Sequence, residues 1–365
     1  MEYKVTIPNV MYSYYPKYST LHKANQIFRN SIYSSCTKLN LYIDATNMIY
    51  RVYDKSVKKQ YATDIVSGIV NLCAHLRDFY RKFYGCETRI FIVYSTCVCR
   101  YNRNLYPDYF KMFWRQVNEN PRKVEYVKNN NSLLYTLCPY LHDIYYVFTN
   151  IEPVMKIYDL IKKEQYAYGR EKVPHIIFSK DSYMFSIPAR IKDAFVFKLH
   201  KNKDPNLEYI NICHNGNAVL QYMLENKLGY SNEDVLEELK GISSLLLPYI
   251  LSITGVRARS IRNFRPLKTA IQILRDFVDF NDPLTMYNVN MDELYDHTPI
   301  IYSKLSKPAF EGRWRCIDLI YQAAAYANTP EYRDISYLKN LIDPDSVKMI
   351  NDKYFKKNPL DLNKL

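Results

Sequence analysis

Between residue 39 and about residue 190, short apolar runs alternate with longer segments whose apolar residues recur near every 3.6 positions. No other feature of the chain constrains its fold as much. "LNLYID" (39–44), "TRIFIVYS" (88–95), "IYYVFTN" (144–150) and the start of "PHIIFSKDSYMFSI" (174–187) read as buried strands, while 62–84 and 151–167 read as amphipathic helices. Strand and helix in turn predict an α/β fold, a central and mostly parallel sheet flanked by helices. "AFVFKLH" (194–200) and "LEYINIC" (207–213) read as edge strands or a hairpin. Residues 1–38 are rich in Tyr and Lys without a clear period, which predicts an irregular arm, and the chain beyond about 215 reads as helical.

The first strand runs straight into an acid, in "LYIDATN" (41–47). An ionised carboxylate in such a place is costly unless it is paired, hydrogen-bonded or bound to a metal. In open α/β sheets, chemistry gathers at the carboxyl ends of the strands. Asp44 is therefore a site candidate, and equally a candidate cap for the helix that follows.

With 48% hydrophobic residues among 365, the chain has ample material for a core. Its formal net charge of +13 favours an acidic partner, nucleic acid before an anionic membrane. The longest apolar stretch, 242–256, is too short to span a bilayer and carries Pro248, so no membrane association is expected. The polar start of the chain does not resemble a signal peptide. Eight scattered cysteines fit a reducing compartment, a cytoplasmic setting such as a host cytoplasm, a viral factory or a virion. The lone Cys97–Cys99 pair has no second pair at zinc spacing. The 37 tyrosines could stack on bases. An AT-rich genome, as in a phage, virus or organelle, accounts for Tyr, Asn, Lys and Ile together.

Four strands end in "YIDATN", "FIVYST", "TNIEPV" and "FSKDSY", and "SLLLPYILSITGVRARSIRNFRPLKTA" follows. In this order the motifs resemble the flap-endonuclease family of 5′ nucleases, which includes the 5′-nuclease domain of bacterial polymerase I and the RNase H-type 5′ nucleases of phages. The resemblance implies a PIN-like fold over 39–275, a parallel sheet followed by a helix–three-turn–helix element that grips DNA. It leaves 1–38 as an N-terminal arm and 276–365 as a helical C-terminal extension.

The resemblance also implies roles. Asp44 stands at the family's first metal-binding acid, Glu152 at the Glu after the third strand, and Asp181 at the first acid after the fourth; "LYPDYFK" (105–111) matches the run that ends the arch. Elsewhere the acids are gone. Tyr94, Val154, Met155, Tyr183, Val256 and Arg259 stand where the family carries Asp, and both glycines of the hairpin are missing. Hydrolysis by two cations needs several carboxylates to hold them about 4 Å apart. Mg²⁺ takes oxygen ligands, and Tyr, Val and Met are poor replacements for Asp. Asp44, Glu152 and Asp181 therefore read as a vestigial catalytic and metal site with no cofactor expected. The alternative is a divergent active nuclease that uses Mg²⁺, with Asp143, Asp159 and Asp193 filling in.

The binding chemistry is better kept. Arg257, Arg259, Arg262, Arg265 and Lys268 lie within twelve residues that contain no acid. Arginines suit phosphate contacts, and a solvated helix face is the plain alternative. A second cluster, Arg100, Arg103, Tyr106, Tyr109, Lys111, Phe113, Trp114 and Arg115, interleaves rings and cations as single-stranded nucleic acid requires, with the core as the plain alternative for its rings. The expected partners are nucleic acid, DNA before RNA, or protein subunits of a replication, transcription or packaging assembly. A structural scaffold that meets an acidic protein is the third possibility. "EGRWRCIDLIYQAAAYA" (311–327) reads as one amphipathic helix.

Overall fold

The computed structural model describes residues 16–30, 36–52, 62–95, 100–111, 143–149, 151–167, 173–201, 208–214, 244–256, 259–279 and 289–327, with a few single positions between 115 and 134. In chain order the elements are α1 (Tyr18–Asn30), β1 (Lys38–Asp44), α2 (Ala45–Val52), α3 (Ala62–Tyr84), β2 (Glu87–Ser95), α4 (Arg100–Leu105), β3 (Ile144–Thr149), α5 (Pro153–Ala167), β4 (His175–Phe178), a 3-10 turn (Ser182–Ser186), β5 (Ala194–Lys201) and β6 (Glu208–Cys213). After these come α6 (Leu247–Thr254), α7 (Leu267–Arg275), α8 (Met291–Asp296), α9 (Pro299–Tyr302), α10 (Lys307–Ile317) and α11 (Leu319–Ala327). No helix among the described residues is long and apolar enough to cross a membrane.

The six strands form one sheet in the order β3-β2-β1-β4-β5-β6. β1 to β5 run parallel, and β6 returns antiparallel to β5. The mostly parallel sheet flanked by helices agrees with the sequence reading. β5 and β6 pair antiparallel, as the hairpin reading expects, with β6 at the edge of the sheet and β5 inside it, since β5 also pairs with β4. Alternate residues face opposite layers. Leu41, Ile43, Ile90 and Ile92 pack with α1, α2 and α3, while Tyr42, Phe91, Val93 and Ile177 pack with α5, α6, α7 and α10. Burial on both faces explains why these strands are continuous apolar runs.

Two expectations need correction. The supposed irregular arm contains α1, whose Leu21 and Ala24 are buried and whose Tyr18 and His22 rings pack on Phe79 and Phe83 of α3. Its inner face, Tyr18, Leu21, His22 and Asn25, has helical spacing, but it is built from a ring, an imidazole and an amide, so an apolar period does not show. The single helix expected over 311–327 breaks at Asp318, where the backbone is extended (ψ 117°). There the Asp318 carboxylate accepts the Tyr321 N–H at 2.8 Å and caps α11. Its other oxygen pairs with Arg190 at 2.8 Å, and both side chains are buried.

α10 packs against α4 and α6, and Phe310, Cys316 and Ile317 share a core with Val154, Tyr183 and Ile250. Gly312 makes this approach possible, since a Cβ there would stand 2.1 Å from the Leu105 carbonyl oxygen. Gly312→Ala should therefore cost about 1–3 kcal/mol of unfolding free energy by urea titration, as expected for overpacking against backbone. An unchanged midpoint would show that α10 does not press on α4.

Candidate functional site

The chain leaves β1 for β2 and β3 on one side, then crosses back to β4 and β5 on the other. The strand order therefore switches between β1 and β4, and in open α/β sheets the crevice over the carboxyl ends at such a switch is where sites form. Asp44 closes β1 there. It is 1% exposed, and its oxygens accept the Asn47 N–H at 3.0 Å and the Ser179 hydroxyl at 2.7 Å. It is both a cap on α2, as one of its sequence readings expects, and a tie to the end of β4. Ser179 also accepts the Asp181 N–H at 3.0 Å, and Asp181 caps the 3-10 turn by accepting the Tyr183 N–H at 3.0 Å.

Arg259 enters this acid cluster from the segment between α6 and α7. Its Nε donates to Glu152 Oε2 at 2.9 Å, and its Nη1 and Nη2 meet the two oxygens of Asp181 at 3.0 and 2.8 Å. The guanidinium lies 4.2 Å from the centre of the Tyr183 ring and 5.5 Å from that of Phe110. The Tyr109 hydroxyl donates to the second oxygen of Glu152. Sequence reasoning set Arg259 at a family Asp position, near where a second metal would sit, and also counted it among the phosphate contacts. Instead it is 3% exposed and fully engaged with two carboxylates, so it cannot serve there. It pairs with Glu152 and Asp181, with no direct bond to Asp44.

Burial sets the ionisation. It pushes Asp44 up to about 6, opposed by the bonds from Asn47 and Ser179. Glu152 is likewise pushed up to about 7 by burial, with Arg259 working the other way. Burial lowers the pKa of Arg259, but Asp181 and Glu152 outweigh it and raise it overall. Arg259 thus stays charged.

The donor set does not fit a two-cation centre. Tyr94 stacks on Phe148 in the opposite layer. Val154 and Met155 are core residues, and the buried Tyr183 gives its hydroxyl to the Ile317 carbonyl. The acids that might fill in do not converge. Asp143 precedes β3 and Asp193 precedes β5, both at the far end of the parallel strands, and Asp159 on α5 pairs with Lys156 and Lys163. A guanidinium already supplies the positive charge between Glu152 and Asp181.

The other cations expected at a nucleic acid are scattered in their exposure. Arg103, Arg262 and Lys268 are exposed, and Arg265 is half-buried. Lys111 pairs with Asp108 and Arg115 with Glu119, both at the surface. Trp114 and Arg257 lie outside the described residues. Tyr109 is buried at 1% exposure and is no stacking platform. Sequence reasoning missed Ser179 and Asn47 as partners of Asp44, although both stand beside acids in the motifs themselves.

A carboxyl with a raised native pKa binds more protons folded than unfolded, so it favours the native state at low pH and penalises it once pH exceeds the native pKa. For Asp44 the penalty should grow between about pH 4 and about pH 6. Asp44→Asn is expected to stabilise the protein by up to about 3 kcal/mol at pH 7.5 and by little near pH 4, read as the difference between the two unfolding curves. Equal stability at both pH values would contradict the assignment.

No family model matches the chain, and no curated protein does. Among solved structures, the D15 flap endonuclease of bacteriophage T5, in a pseudo-enzyme–product complex with DNA and metal ions, is 14% identical, covering 87% of this chain and 98% of its own, with a TM-score of 0.49. A zinc-bound T5 5′-exonuclease gives the same identity and coverage with a TM-score of 0.47. The catalytic core of Rad2 in complex with a DNA substrate is 13% identical over 90% of each chain, with a TM-score of 0.43.

Proposed function

We propose that this chain is a catalytically degenerate 5′-nuclease-like protein that binds nucleic acid without a divalent cation at its strand ends. One observation carries the reading: the Arg259 guanidinium pairs with both Glu152 and Asp181 and brings to the acids the charge that a metal ion would bring. A tethered guanidinium cannot lower the pKa of a bound water or hold an in-line pair of oxygens as two cations do. Binding has a separate basis. The net charge of +13 and the exposed Arg103, Arg262 and Lys268, with the half-buried Arg265, offer phosphate contacts without any metal. By resemblance, the segment carrying Arg262, Arg265 and Lys268 meets a duplex, which favours DNA.

The deciding experiment compares cleavage and binding on flap, nicked, duplex and single-stranded DNA. Expected are binding in EDTA, no cleavage in Mg²⁺ or Mn²⁺, and no upward shift of Tm with either ion at millimolar levels, since a ligand of the native state must stabilise it. Metal-dependent cleavage lost in Asp181→Asn would establish the active nuclease instead.

Salt gives a second check. If four cations each displace a counterion, the slope of log affinity against log salt should be roughly −3 to −4. A flat response would move the basic surface to a protein partner.

A further inference from the structure

Among the described residues, Arg313 of α10 is the largest side chain that is fully buried, and no carboxylate pairs with it. A buried cation without a counter-charge is expensive. Its Nη2 donates to the Arg262 backbone carbonyl, its guanidinium lies 4.2 Å from the Phe264 ring centre, and its Nε has no partner. Burial lowers it to about 10, so it remains charged at neutral pH.

The surroundings of Arg313 are where the two basic elements meet. The Phe110 N–H donates to the Arg259 carbonyl at 2.9 Å, and Phe110 accepts a left-handed φ of 56° to do so. Such a conformation persists only when its surroundings impose it. A bridge between Val256 and Ile261 closes the hairpin, with Ser260 left-handed at φ 59°. This fold-back turns Arg259 inward to the acids and leaves Arg262 exposed. From the other side, Gly312 lies so close to α4 that a Cβ on it would overlap the Leu105 carbonyl and stand 3.8 Å from the Tyr106 Cβ. Tyr106, just after α4, therefore neighbours the turn of α10 that carries Arg313, and Arg313 in turn donates to the Arg262 carbonyl, so both residues flank one buried guanidinium; burial raises the Tyr106 hydroxyl, with Arg313 and Arg262 opposing. Neither that hydroxyl nor the Arg262 side chain has a bonded partner among the described residues. The nearby acid, Asp108, is paired with Lys111 at 2.9 Å.

We infer that Tyr106, Arg262 and Arg313 form a binding site for one phosphate group. The Arg262 guanidinium and the Tyr106 hydroxyl touch the anion. Arg313 holds the Arg262 backbone in place and supplies positive charge from beneath, where the anion becomes its missing counter-charge. The site deepens the nucleic-acid reading and rests on it for the source of the phosphate, a backbone phosphodiester; a free phosphate compound has the same recognising chemistry. It also gives α10, which lies beyond the basic segment in sequence, a part in binding.

Two measurements test it. The first is Tm in millimolar inorganic phosphate against chloride at equal ionic strength, and the second is the affinity of a duplex oligonucleotide across salt. Phosphate should stabilise the wild type more than it stabilises Arg262→Ala or Tyr106→Phe, a difference that removes the general effect of phosphate on folding. Arg262→Ala should weaken duplex binding about tenfold, the loss of one charge-assisted hydrogen bond, and reduce the salt slope by about 1. Arg313→Met should do the same. If that variant fails to fold, the other two decide. A phosphate effect confined to the wild type, without duplex binding, would keep the site and overturn its nucleic-acid source. Duplex binding equal in wild type and variants, with no differential phosphate effect, would overturn the site and leave the nucleic-acid reading standing. If wild type and variants respond alike to phosphate and none binds duplex, both fall.

Discussion

The guanidinium of Arg259, held between Glu152 and Asp181, closes the carboxyl end of the sheet. Glu152 stands at the head of α5, Asp181 caps the turn after β4, and Arg259 arrives from the segment between α6 and α7. Three distant parts of the chain thus converge on one planar cation. Its fork geometry suits this, because it can meet two carboxylates at once where an ammonium could not. Burying these charges costs several kcal/mol for each ion and is offset only when every lone pair finds a donor. The Tyr109 hydroxyl on Glu152 and the Tyr183 and Phe110 rings on the guanidinium complete that environment.

Hydroxyl groups do the rest of the joining. Thr46 accepts the Ser95 N–H at 2.7 Å, the Ser95 hydroxyl donates to the Ile151 carbonyl, and Thr149 accepts the Ile151 N–H at 3.2 Å. Together with the bond from Ser179 to Asp44, these tie the ends of β1, β2, β3 and β4 to the loops that leave them. Neutral hydrogen bonds contribute about 1 kcal/mol each, but they carry no charge and need no counter-ion. Apolar packing by Val154, Met155 and Tyr183 fills the remaining space.

Much of this was legible in the sequence because the signals were local. Strands buried on both faces must be apolar throughout, so "LNLYID" and "TRIFIVYS" announced themselves, and the acids at their ends could be placed by counting. Long-range pairing was not legible. The resemblance sets Arg259 at an Asp position, but nothing in "VRARSIR" shows that its side chain pairs with Glu152 and Asp181 while Arg262 stays outside; that difference arises from the bridge between Val256 and Ile261 and the left-handed Ser260. The α1 helix escaped because His22 and Asn25 occupy its inner face. The break at Asp318 was in principle readable as a cap, but the apolar spacing on either side concealed it. The role of α10 depends on Gly312 and Arg313, whose meaning appears only when Leu105 and Arg262 are brought beside them.

The claim that Arg259 holds the acid cluster together is tested most directly by a double-mutant cycle of Arg259→Met and Glu152→Gln, followed by urea unfolding at pH 7.5. Arg259→Met should cost about 3–5 kcal/mol, because it leaves the buried Glu152 and Asp181 without their cation, and Glu152→Gln should cost less, because Asp181 still pairs with Arg259. The double variant should lose at least about 1 kcal/mol less than the sum. Losses that add to within about 0.5 kcal/mol would mean that the two residues act independently and that the guanidinium is not what closes the site.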